Sequence, residues 1–163
     1  MRIVLAGGKG LIGKNLVPYL SNFYECIPLG IEEWDVVKER SGREVIEKFK
    51  PDIVINLAAL TDVDGCEDMM EYAQMVNAHG AECVARLCAE YGIRLIYFST
   101  DYVFNGKKGS PYVEEDTPEP LSVYGLTKLE GEKKVRIFHP NPLIIRTQWI
   151  YGNGGENFVT KIL

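Results

Sequence analysis

The opening of the chain constrains it most. RIVLA, Arg2 to Ala6, is a short unbroken apolar run, and GGKGLIG follows at once, giving Gly7-x-x-Gly10-x-x-Gly13. A continuous apolar run of that length bounded by glycines suits a strand buried on both faces. LIGKNLVPYL then carries Leu11, Ile12, Leu16 and Leu20 at helical spacing, with Pro18 expected to kink the helix or end it early. A strand that turns through glycines into a helix offers free N–H groups and a positive dipole end to an anion. A pyrophosphate is the group that such a turn is built to approach. The spacing is one residue away from G-x-G-x-x-G, so the loop alone is also compatible with simple strand–helix packing.

The rest of the chain repeats the alternation. A second strand is predicted around Tyr24 to Leu29, then a helix in SGREVIEKFK with Val45, Ile46 and Phe49 as its apolar stripe. PDIVINL reads as a strand, with Pro51 closing off the preceding helix. The segment from Glu67 to Tyr91 has a helical pattern, with Met75, Val76, Val84, Leu87 and Cys88 as buried candidates and Gly92 as its stop. Arg94 to Ser99 is the next strand, Ser122 to about Phe138 the next helix, and Leu143 to Arg146 the last strand. Strand and helix in alternation imply right-handed crossovers and a parallel sheet covered on both faces. The expected fold is therefore a doubly wound α/β sandwich in three layers, of the Rossmann type that binds NAD(P). The polar stretch from Asn105 to Pro120 is the one long irregular connection, and such connections often cover sites.

Composition narrows the function classes. At 163 residues with a net charge of -5, the chain suits one domain and lacks the basic excess of a general nucleic-acid or anionic-membrane binder. No apolar run approaches the roughly 20 residues that span a bilayer, and Met1-Arg2 leads straight into the first strand without a signal-peptide pattern. The expectation is a cytoplasmic protein. Cys26, Cys66, Cys83 and Cys88 contain no C-x-x-C pair and read as reduced, mostly buried thiols. His79 and Cys83 can share a helix face, but too few ligands converge for a metal site, and none is expected.

Two residues raise a catalytic question. YGLTK places Tyr124 and Lys128 four apart, on one face of the predicted helix. A free tyrosine titrates near 10, and a neighbouring cation together with the helix N-terminus is expected to lower that value toward a useful acid. The motif alone is weak, because a solvated Tyr/Lys pair looks the same. Its context is stronger, since NLAALTDVD, STDYVFNG and RTQWIYG all fall at the carboxyl ends of predicted strands, where open α/β sheets bind ligands.

With GGKGLIG and YGLTKLEGE, these segments resemble the extended short-chain dehydrogenases, and within them the dTDP-4-dehydrorhamnose reductase family, over essentially the whole chain. The resemblance implies NADPH or NADH as cofactor and a nucleotide sugar as substrate. It places Gly7, Gly10 and Gly13 at the pyrophosphate with Leu11 and Ile12 beside them, Asp35 and Val36 near the adenine, and Ala58 and Ala59 along the cofactor channel. It makes Thr100 the donor to the substrate carbonyl, Tyr124 the acid, and Lys128 the residue that binds the nicotinamide ribose and stabilises ionised Tyr124. Asp101, Tyr102 and Trp149 are implied sugar contacts, although Trp149 and Tyr151 read equally well as core or interface aromatics. Asn77, in VNAHG, is implied as a brace of the site, or serves as a plain helix hydrogen bonder.

The resemblance also implies pairing through helices including the one with Tyr124, hence a homodimer. Residues 1–150 would form the NAD(P)-binding domain with the catalytic groups, and 151–163 the start of a C-terminal substrate lobe. Glu32 and Glu33 lie near the distance where an acid favours NAD, while Lys9 could help a phosphate from the loop, so the choice between NAD and NADP stays open. A second class also stays open, that of a non-catalytic dinucleotide-binding module such as the regulatory subunit of methionine adenosyltransferase, which looks like this reductase family.

Overall fold

Five parallel strands form one sheet in the order β2-β1-β3-β4-β5. They are β1 (Arg2–Ala6), β2 (Glu25–Leu29), β3 (Ile53–Asn56), β4 (Arg94–Thr100) and β5 (Leu143–Thr147). The structure is a computed structural model and describes residues 1–154 and 158–162. The helices are α1 (Leu11–Leu20), α2 (Glu39–Phe49), α3 (Val63–Asp68), α4 (Met70–Gln74), α5 (Gly80–Glu90), α6 (Val123–Phe138) and α7 (Phe158–Ile162). Of the segment expected to start a further lobe, residues 155–157 and 163 lie outside the described residues.

The strand ends are in register on the side that matters. Ala6 pairs with both Leu29 and Asn56, Asn56 with Tyr97, and Thr100 with Thr147. The carboxyl ends of all five strands therefore open on one edge. From β1 the chain first adds β2 on one side and then β3 on the other, which makes the gap between β1 and β3 the topological switch point where α/β sheets bind ligands.

Alternate residues of each strand feed opposite layers, as the pleat requires. Val4, Ala6, Val54, Leu95 and Tyr97 pack with Val45, Ile46, Val84, Leu87 and Val135 from α2, α5 and α6. Ile3, Leu5 and Ile55 face the other way, against Leu16, Val17 and Leu20 of α1. Pro18 does not break α1 early. It falls in the last turn, two residues before the helix ends at Leu20, where little helix remains to be disrupted. As expected, Gly92 takes a left-handed conformation (φ 66°) after α5.

The segment expected as one helix from Glu67 is broken. Asp62 caps α3 by accepting from Gly65 N at 3.1 Å, and Met69 leaves helical geometry (φ -124°, ψ 45°) before α4 begins. Met75–His79 then forms a π-helical turn that runs into α5. The turn presents Asn77 to the interior and leaves Met75, expected in the core, exposed. Among the described residues no helix is long and apolar enough to cross a membrane, and no group of three potential metal ligands comes together.

Candidate active site

The glycine loop sits at the switch point. Gly7 adopts φ 72°, and a Cβ there would come within 2.7 Å of Ala58 N, so only glycine lets β1 turn this close to the chain leaving β3. Gly10 precedes α1 with no side chain capping it, which leaves the first-turn N–H groups of α1 directed at the cleft. Gly13 packs inside the loop. It does not line the cleft, and a Cβ on it would lie 2.0 Å from Gly8 O, so its role is close packing of α1 onto the loop.

A cleft of about 730 Å³ runs from this loop along the strand ends. Gly7, Gly10, Leu11, Ile12, Asp35, Val36, Ala58, Ala59, Thr100, Tyr124 and Lys128 all line it. Apart from Gly13, every residue expected at the cofactor or in catalysis therefore faces one space. Asp101, Tyr102 and Trp149 line it too, and they also border a second cleft of about 1180 Å³ between β5 and the long 104–122 connection. Trp149 is 66% exposed with φ 49°, so the core reading of this residue is excluded. Tyr151 is likewise exposed.

Thr100 is the last residue of β4 and is buried. Its hydroxyl donates to Asp101 Oδ1 at 3.1 Å and accepts from Tyr102 N at 3.2 Å, which fixes it at the strand end. Tyr124 lies in the first turn of α6. The helix is started by Ser122, whose hydroxyl accepts from Gly125 N at 3.1 Å, and by Glu67, whose carboxylate accepts from Val123 N at 2.9 Å. The Tyr124 ring stands edge-on to Tyr102, with centroids 5.6 Å apart.

Electrostatics depart from expectation here. Burial pushes the Tyr124 phenol above its ordinary value, a hydrogen bond with Thr100 opposes this, and Lys128 is not among its perturbing groups. Lys128 itself is only 3% exposed. Its ammonium donates to Phe98 O at 2.7 Å and lies 4.3 Å from the centre of the Tyr97 ring. Burial lowers its pKa to about 7, opposed by Glu132 one turn further along α6. Desolvation thus outweighs the mutual effect of the Tyr124 and Lys128 pair.

The brace around these groups was only partly expected. Asn77 lies in the π-helical turn; its Oδ1 accepts from Leu60 N at 2.8 Å, and its Nδ2 donates to Leu60 O and to Thr127 Oγ1, both at 3.1 Å. Tyr97 donates from its hydroxyl to Asn77 O at 3.3 Å. Gly131 makes the meeting possible, because a Cβ there would lie 2.4 Å from both Asn77 O and the Tyr97 hydroxyl. Sequence reasoning missed Glu132 and Arg146, which form a two-pronged ion pair of 2.9 and 2.7 Å between α6 and β5. The signal was present, since Tyr124, Lys128 and Glu132 recur every four residues along one face.

The chain matches, over residues 1–163, a family model described as the RmlD substrate binding domain. It belongs to the RmlD family of dTDP-4-dehydrorhamnose reductases. Among RmlD-family relatives it is 40% identical to the dTDP-4-dehydrorhamnose reductase of Sinorhizobium fredii, covering 100% of this chain and 55% of that protein. It is 38% identical to the enzyme of the same name from Escherichia coli, covering 100% of this chain and 56% of that one. A crystal structure of dTDP-4-dehydrorhamnose reductase from Bacillus anthracis in complex with NADP superposes with a TM-score of 0.96 at 36% identity, covering 99% of this chain and 58% of that chain. The chain thus spans little more than half the length of the RmlD-family relatives it matches.

Proposed function

We propose that this chain supplies the NAD(P)H-binding and proton-donating part of a reductase that converts dTDP-4-dehydro-L-rhamnose to dTDP-L-rhamnose. The observation that carries the reading is that Thr100, Tyr124 and Lys128 line the same cleft as the glycine loop. The cleft suits a dinucleotide, because Gly7 leaves the cradle that a Cβ would fill and the uncapped N-terminus of α1 opens toward it. Gly7, Gly10, Leu11 and Ile12 would hold the pyrophosphate, Asp35 and Val36 the adenine end, and Ala58, Ala59 and Lys128 the nicotinamide end. When bound, the nicotinamide supplies the hydride for the reduction.

The protein's own groups do the rest. Negative charge develops on the substrate carbonyl oxygen as its carbon is reduced; Tyr124 and the Thr100 hydroxyl, once turned from Asp101, would donate to that oxygen. Tyr124 then transfers its proton there. A phenol whose pKa burial holds above the ordinary value is fully protonated at neutral pH, so it is loaded for this step. Lys128, on the same face one turn away, orients the cofactor ribose and offers positive charge when protonated. Asp101, Tyr102 and Trp149 would meet the sugar. Residues 151–163 would begin the lobe that orients it, and pairing through α6 would give a homodimer.

The deciding assay is NAD(P)H oxidation with dTDP-4-dehydro-L-rhamnose by the full-length gene product. Turnover is expected. Cofactor binding without turnover would overturn the reductase reading and leave a dinucleotide-binding module.

A further inference from the structure

The chain leaving β5 reaches the helix of the glycine loop. Thr147, Gln148, Trp149 and Ile150 line the cofactor cleft, and residues 152–154 then lie against α1. Asn15 meets them there. Its Oδ1 accepts from Asn153 N at 3.1 Å and its Nδ2 donates to Asn153 O at 3.0 Å, so the amide pairs with that backbone as a neighbouring strand would. The same Nδ2 donates to Leu11 O at 2.8 Å, one turn earlier, which fixes the amide on α1. Beside it, Lys14 Nζ donates to Gly154 O at 2.9 Å. Two glycines shape the contact. A Cβ on Gly152 would stand 2.7 Å from Asn15 Nδ2, and Gly154 holds φ 88°.

We propose that Asn15 is a positioning residue for sugar recognition: by clamping residues 152–154 to α1 it sets where Trp149 stands beside the cofactor cleft. The inference rests on the reductase reading given above. Trp149 takes φ 49°, a left-handed conformation that a bulky residue adopts only where the surrounding chain enforces it. Its ring is mostly exposed, so its place follows from the backbone rather than from burial. The backbone is held on both sides. Upstream, Thr147 pairs with Thr100 in the sheet and its hydroxyl donates to Ser99 O at 3.3 Å. Downstream, Asn15 holds Asn153, and residues 148–152 span the interval between the two holds. Asn15 and Asn153 are exposed, and water competes for bonds at such a place, so each bond contributes modestly. Two bonds to one residue, seated against a glycine, bias a short segment all the same. The glycine loop and the first-turn N–H groups of α1 precede Asn15 and do not depend on it, so the clamp acts on the sugar more than on the cofactor.

The test compares the full-length protein with its Asn15→Leu and Gly152→Ala variants, which break the contact from opposite sides. Steady-state kinetics should show KM for dTDP-4-dehydro-L-rhamnose raised about tenfold in each, with kcat and NADH affinity within about threefold of the parent. Fluorine NMR of fluorotryptophan-labelled protein reads the clamp itself. The Trp149 resonance, identified by its loss in Trp149→Phe, should shift or broaden in both variants, while that of buried Trp34 stays. A Trp149 resonance unmoved in either variant, an unchanged KM, or an NADH affinity that falls as far as KM rises overturns the proposal. A parent that binds cofactor without turning the sugar over overturns the reductase reading and the sugar role with it, and the resonance then still shows whether Asn15 holds the segment.

Discussion

The buried carboxylate of Glu132, 2% exposed, grips the guanidinium of Arg146 with both oxygens, at 2.9 and 2.7 Å. The guanidinium also lies 4.9 Å from the centre of the Phe104 ring. One pair thus ties α6, β5 and the start of the long connection together. Removing one partner strands a buried charge, a loss of about 3–5 kcal/mol, whereas replacing both with apolar groups costs far less. Glu132→Leu and Arg146→Met should therefore each destabilise the protein strongly, and the two combined should destabilise it less than either single change. Urea unfolding of the four proteins measures this, and strictly additive effects would show that the pair does not couple.

Lys128 gives stability an unusual pH dependence. Its ordinary pKa of 10.5 falls to about 7 in the folded protein. Between those values the unfolded chain holds more protons than the folded one, so this group makes the protein more stable as pH rises. Its penalty is fully present below the folded pKa. Lys128→Met should accordingly gain stability over the parent at about pH 6, with the gain shrinking toward about pH 10. Urea midpoints at several pH values provide the check, and a gap that does not change with pH would contradict the argument.

Tyr124→Phe removes the phenolic hydroxyl, and with it the transferable proton and the hydrogen bond with Thr100. In the full-length protein, turnover should fall by about 10²–10⁴-fold, the usual contribution of a positioned general acid. Cofactor affinity should change little, because the ring and its edge-on contact with Tyr102 remain. Steady-state rates beside NADH titrations separate the two effects. A variant that keeps parental turnover would remove Tyr124 from the chemistry.

Asn77 braces the site without lining the cleft. Asn77→Ala leaves Leu60 N–H without its acceptor and Thr127 without its donor, in a region where an unsatisfied polar group costs about 1–3 kcal/mol. A loss of that size in stability is expected, accompanied by weaker cofactor binding, because Leu60 lines the cleft. Thermal unfolding and calorimetry on the same variant test both halves.

Much of this organisation could be read from local pattern. RIVLA, GGKGLIG and LIGKNLVPYL specify a strand, a turn and a helix through signals that lie within a few residues of one another, and the structure has all three. The segment before Tyr91 was legible as helical but not as broken. A π-helical turn inserts one residue per turn, and apolar periodicity does not register so small a slip. The direction of the Tyr124 shift was misjudged for a different reason. Spacing tells which groups share a helix face, whereas burial depends on what the rest of the chain stacks over them, and here burial prevails. The four-residue spacing marked Glu132, but its partner Arg146 lies on another element whose placement only the finished sheet determines. The tight approach of Gly13 to Gly8 was not legible, because it depends on how α1 seats against the loop.

Gly131 sets the clearance of the whole arrangement. A methyl group there would press on Asn77 O and the Tyr97 hydroxyl at once, and these two are hydrogen-bonded to each other. The helix itself would have to lift. Tyr124 and Lys128 ride on that same rod, so a single added carbon several residues away would carry both out of alignment at once. The accuracy of the site therefore depends on an atom that is not there, at a residue that has no functional group at all.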